Sequence, residues 1–238
     1  MALITYLIIP LIVLILLFIV FKFIFKIFKY FMIAFVLLII VTGVSGYLVY
    51  KDAKSLAENF GTENKLFLID IDKIEAGFVI AQDEPIFLTQ GQVDFYNDLY
   101  LNKDYGNMLG DNYKVLILKI DKIEYSSQIL DYEGLRLDKV LIFEIIKSDN
   151  PKDLLYNLMF SDKPRQSFDS AFSVDNVEFK SALALLLFMQ EFKKNNVLFI
   201  VKEFKKGNII VYPETAVFKF IKILPNDFIN DVVTKLSI

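Results

Sequence analysis

The chain has 238 residues, 55% of them hydrophobic, with 26 basic and 29 acidic side chains and neither cysteine nor histidine. Without cysteine there are no disulfide frameworks, thiolate metal sites or cysteine nucleophiles; without histidine there are no histidine-based triads and the commonest transition-metal ligand is missing. Chemistry in this chain would rest on carboxylates, lysine, tyrosine or a hard cation held by oxygens, and no cofactor is expected.

The apolar excess lies at the front. Residues 1–50 carry three charged side chains, Lys22, Lys26 and Lys29, which separate two uncharged runs. Each run is about 20 residues, the length that crosses a hydrocarbon core of ~30 Å. The pattern predicts a transmembrane helical hairpin, with spans at about 3–21 and 31–50 and a joint at 22–30. A signal peptide fits poorly, because the first residues are uncharged and no small-residue cleavage site follows the first run.

The joint reads Phe-Lys-Phe-Ile-Phe-Lys-Ile-Phe-Lys-Tyr-Phe over 21–31. It has no turn residue. Its lysines, spaced i, i+4, i+7, share one helical face and are expected at one membrane interface. In the second span Thr42, Gly43 and Gly46 form a small-residue patch for close helix packing, against the first span or a second copy. Residues 51–61 continue as an amphipathic stalk, with Ala53, Leu56, Ala57 and Phe60 on one side and Gly61 as the stop.

Basic residues favour the cytoplasmic side. The three lysines therefore place the joint in the cytoplasm and the soluble domain with the N-terminus on the exoplasmic side. Lys51 and Lys54 argue the other way.

Residues 62–238 are expected to form one acidic domain of mixed α/β (α+β) class. With the three joint lysines set aside, 23 basic side chains face 29 acidic ones, a net charge of −6. That balance, with only Arg136 and Arg165 as arginines, argues against nucleic-acid binding. Strands are predicted at 66–71, 78–81, 115–120, 140–146, 197–201 and 209–212. Helices are predicted at 92–101, 151–160, 176–194, 214–223 and 226–236, with Asp175 capping the long one and Pro225 opening the last. Residues 181–189 are apolar all round but too short to cross a bilayer, so they read as the central core helix. Residues 161–173 read as a long surface loop.

One internal similarity stands out. Residues 61–75 align without gaps on 110–124 at an offset of 49, sharing Gly61/Gly110, Lys65/Lys114 and the pentapeptide Ile-Asp-Lys-Ile-Glu at 71–75 and 120–124. Two equivalent strands, or a duplicated unit, would follow.

Catalytic signatures are sparse. Phosphate-binding glycine loops and the nucleophile elbow are absent. Asp70 and Asp72, two apart on a strand, are candidate ligands for a hard divalent metal, although the second copy has Lys119 in place of Asp70. The expected function is a membrane-anchored, non-enzymatic interaction or scaffold protein whose partners are the bilayer and another protein or a second copy of itself. The alternatives are a membrane-tethered metal-dependent enzyme and an accessory subunit of a transport or translocation complex.

Overall fold

The computed structural model describes residues 2–60, 62–81, 84–132, 135–162 and 164–225. The chain divides into two compact units, Met1–Lys51 and Asp52–Ile238.

The first unit lies within one helix, α1 (Ala2–Asn59). The reversal expected at 22–30 is not confirmed: the helix runs through the lysine joint without a break. The physical reason is in the sequence, since nothing between Phe21 and Phe31 ends a helix. Within α1, Phe28–Leu56 is long and apolar enough to cross a bilayer, and none of its apolar window is buried; a membrane span and an N-terminal signal sequence share that property. Large apolar side chains here, such as Phe31, Leu38 and Val41, are well over half exposed.

The second unit is an α+β domain built on a five-stranded sheet of order β3-β2-β1-β4-β7. Its strands are β1 (Lys65–Asp70), β2 (Ile74–Ala81), β3 (Glu84–Phe87), β4 (Lys114–Lys119) and β7 (Ile209–Tyr212), and a separate hairpin pairs β5 (Ile129–Tyr132) with β6 (Leu135–Asp138). The central pair β1–β4 is parallel and the other pairs are antiparallel. β1 is buried at every position and β4 at all but its last, as expected of strands covered on both faces.

The internal similarity is a structural one. Lys65 pairs with Lys114, Leu66 with Val115, and so on to Asp70 with Lys119, so the sequence offset of 49 is the register of the parallel pair. The shared pentapeptide then does two different things. In the first copy Ile71 N–H donates to Lys73 O, Asp72 takes φ 72, and the chain turns back as β2. In the second copy Lys119 O accepts from the N–H groups of Lys122 and Ile123, and the chain leaves the sheet. Ile71 and Ile120 are both buried, as are Ile74 and Ile123.

Helices cover both faces. One face packs on α2 (Gln90–Leu101) and α3 (Tyr105–Leu109) through Leu66, Leu68, Val93, Met108, Val115 and Ile117. The other packs on α7 (Asn176–Lys206) through Phe67, Phe78, Leu116, Leu118, Leu183 and Phe188. α4 (Lys139–Lys147), α5 (Pro151–Met159), α6 (Arg165–Ala171) and α8 (Ala216–Ile223) complete that side.

Asp175 caps α7, accepting from Glu178 N–H, and Gly207 ends it at φ 80 in the left-handed region. No glycine or proline interrupts residues 176–206. The helix therefore absorbs 197–201, where a strand is predicted. The strand predicted at 140–146 is also helical, as α4. Asp138 caps it through Val140 N–H, and Ile142, Ile145 and Ile146 bury one helical face. Helix α6 occupies most of the predicted loop at 161–173. The helix predicted at 226–236 and the stop at Gly61 lie outside the described residues.

α7 crosses β2 closely at Gly77. The Ser181 hydroxyl donates to Gly77 O at 3.0 Å and accepts from Gly77 N–H at 3.1 Å. A Cβ at Gly77 would lie 2.8 Å from both Leu88 Cδ1 and Phe67 O. Gly77→Ala should therefore destabilise the protein by about 1–3 kcal/mol, read as a lowered denaturation midpoint; an unchanged midpoint would show that the packing of Leu88 and Phe67 around Gly77 has slack.

Candidate functional site

Three features of the second unit combine buried charge or enclosed space: the base of α1, the charged groups around α7, and the clefts beside α7.

At the base of α1, Asp52 Oδ2 accepts from Val217 N–H at 2.7 Å, capping α8 from another part of the chain. Leu56 packs on the main core. Lys65, 4% exposed, donates to Phe60 O at 2.5 Å and sits 5.2 Å from the Phe60 ring centroid. Lys114, 1% exposed, donates to Pro213 O at 2.9 Å and lies over the Phe218 ring. Burial pulls the Lys114 ammonium below its ordinary pKa, and the charge of Asp52 opposes that pull. The two lysines at matching places in the internal similarity thus flank the stalk, whose Leu56 is partly buried against the main core.

The two matching glutamates both pair with α7. Glu75 Oε2 accepts from Lys180 at 2.9 Å, with both side chains nearly buried. Glu124 Oε2 accepts from Lys206 at 2.6 Å on the surface, and this holds its carboxyl below the usual range. Removing one partner of a buried pair such as Glu75–Lys180 costs about 3–5 kcal/mol, because the other charge is stranded. Glu191 Oε1 accepts from the N–H and hydroxyl of Ser126, while Glu203 accepts from Lys206, Asn208 and Glu124 N–H. These acids fasten the segment after β4 to α7. Tyr125 is buried beside them, and burial together with the charges of Glu191 and Glu203 pushes its hydroxyl pKa well up.

The predicted metal pair is divided between two environments. β1 ends at Asp70, so strand alternation no longer governs Asp72. Asp70 is buried and accepts from the Tyr100 hydroxyl at 2.7 Å. Asp72 is exposed and pairs with Lys147 at 2.9 Å. Among the described residues no group of three or more Asp or Glu side chains is placed to hold a metal ion. Lys22, Lys26 and Lys29 lie in α1, as do Thr42, Gly43 and Gly46. The Thr42 hydroxyl donates to Leu38 O, and a Cβ at Gly43 or Gly46 would meet nothing within 4 Å.

Among the described residues, two apolar clefts and one polar one lie beside α7. One, about 670 Å³, lies among β3, the β5–β6 hairpin, α5, α6 and α7. A second, about 540 Å³, is lined by Phe60, Lys65, Phe67, Phe188 and others, and shares Leu185 with the first. The polar cleft, about 140 Å³, is lined in part by Lys73, Glu75, Asp94, Asn97, Asp149 and Lys180. It is smaller than the usual ligand site of roughly 300–1,000 Å³.

Sequence reading missed Glu75, Lys180, Glu191 and Glu203 as buried charges. For Glu75 the repeated pentapeptide was an available signal, since its second copy carries Glu124 at the same place. No protein-family model, curated protein or solved structure matches the chain.

The Asp70–Tyr100 pair has a pH signature. Burial raises the Asp70 carboxyl above its ordinary pKa, and the Tyr100 hydrogen bond pulls it part of the way back. A carboxyl raised in the folded state favours folding in acid. Its contribution to stability falls as pH rises from the ordinary carboxylate value through the raised one. Tyr100→Phe should therefore cost about 1–3 kcal/mol near neutral pH and recover part of that loss at a pH low enough to protonate Asp70. Chemical denaturation at the two pH values measures this, and an equal loss at both would contradict it.

Proposed function

We propose that this chain is a membrane-anchored, non-enzymatic interaction protein that holds its acidic α+β domain at a bilayer surface, where it binds another protein or a second copy of itself. One observation carries the reading. The exposed apolar run of α1 passes without a break into a base held by Asp52–Val217, Leu56 and Lys65–Phe60. The segment suited to hydrocarbon and the segment built into the domain are one helix.

The lysine joint marks where that helix reverses in lipid. A straight α1 of 58 residues is about 87 Å long at 1.5 Å per residue, nearly three times a hydrocarbon core of ~30 Å. Left straight, it would hold one of its two apolar runs in water. Exposing the Leu, Ile, Val and Phe side chains of residues 3–20 costs on the order of 20 kcal/mol or more. Breaking the helix at 22–30 frees a few backbone groups at an interface where water bonds them, a cost of a few kcal/mol. Apolar exposure is the greater cost, and it favours two spans joined at Lys22, Lys26 and Lys29, with Thr42, Gly43 and Gly46 on a helix-packing face. The basic joint favours the cytoplasm, which places the domain and the N-terminus on the exoplasmic side.

Alkaline carbonate extraction of membranes, with mass determination of the retained chain, tests the anchor. The protein should stay in the pellet with residues 1–50 attached. Release into the supernatant, or a mature chain that starts beyond the apolar run, would refute it.

A further inference from the structure

The 670 Å³ cleft is an unusual space. Its thirteen lining residues are all Phe, Leu, Ala or Val, among them Leu130, Leu137, Phe160, Phe172, Ala182 and Leu186. No lining side chain can donate or accept a hydrogen bond. Ordered water needs two to four polar partners, so water is a poor occupant. The volume lies well inside the range of small-molecule sites. An apolar cavity of ~150 Å³ takes a six-carbon ring; at that ratio this cleft has room for on the order of 25 carbons, enough for one long acyl chain.

We propose that this cleft binds the acyl chain of a single-chain lipid, with its polar head left in solvent. Three observations converge. The uncharged lining excludes a buried ionic head. The cleft is partly open to solvent, so a tail can enter while the head stays wet. Its wall is assembled from β3, the β5–β6 hairpin, α5, α6 and α7. The hydrocarbon supply rests on the anchor reading, since a domain tethered to a bilayer has lipid within reach. Ala182 is the position to fill: it lies on α7, lines the cleft, and has the smallest side chain there apart from Ala171.

Photolabelling of the full-length chain in membranes tests this directly. The probes are a diazirine-bearing palmitic acid and a diacyl phospholipid carrying the same diazirine chain. Labelled peptides are mapped by mass spectrometry. The fatty-acid probe should label residues 155–186 in addition to α1, and the diacyl probe should label α1 alone. Ala182→Phe should reduce labelling of 155–186 at least tenfold with α1 labelling unchanged. Ala182→Leu, a milder filling, should reduce it by a smaller factor and secures the result should the Phe variant fold poorly. Labelling of α1 without labelling of 155–186 overturns the cleft proposal and leaves the anchor standing; absence of α1 labelling overturns the anchor. Labelling of 155–186 by the diacyl probe, or labelling indifferent to filling in a folded variant, also overturns the cleft proposal.

Discussion

Two neighbouring parallel strands, buried on both faces, have to be roofed and floored before they can exist in water. β1 and β4 are such a pair. Their side chains are apolar on both sides of the sheet, so each face needs its own helical layer. α2 and α3 supply one, and α7 with its neighbours the other. Ser181 of α7 bonds the backbone of β2 at Gly77. Charges cluster at the ends of the repeated segments, where the strands leave the layers. Lys65 and Lys114 stand at the strand starts, and Glu75 and Glu124 lie beyond the strand ends.

That arrangement ties the domain to its helix. The lysines at the strand starts sit beside the base of α1, one on the Phe60 carbonyl and the other near Asp52, which caps α8. Buried ammonium groups are costly unless their donors are used. Here each serves to hold chain that leads to or packs on the stalk. The glutamates act at the other end of the repeats, fixing α7 at Lys180 and Lys206. The same short similarity thus supplies the centre of the sheet, the grip on the stalk and the clamps on the main helix.

Much of this is legible in the residue pattern. The buried strands at 65–70 and 114–119, the cap at Asp175, the core helix at 181–189 and the amphipathic stalk follow from periodicity and end signals. The offset of 49 even contains the register of the central pair, because two apolar strands of similar pattern and burial fit side by side. What fails does so for physical reasons. Residues 140–146 and 197–201 are rich in β-branched and aromatic side chains, yet each lies in a helix whose cap or continuity outweighs that preference. The identical pentapeptides 71–75 and 120–124 adopt different backbones, which no local rule could separate. Asp70 and Asp72 share a strand face on paper, but the strand ends between them. The buried pairings of Glu75, Glu191 and Glu203 depend on α7 returning across the sheet more than 60 residues from some of its partners.

The absence of cysteine from the chain makes its central claim open to one direct measurement. Single cysteines placed along residues 3–60 and probed in sealed membranes with a thiol reagent that cannot enter lipid report which stretches lie in hydrocarbon. Two protected windows are expected, near 3–20 and 31–49, separated by a reactive window at the lysine joint. Reactivity at the joint and at residues 51–55 should require reagent on opposite sides of the membrane. A single protected window, or joint and stalk labelled from the same side, would contradict it.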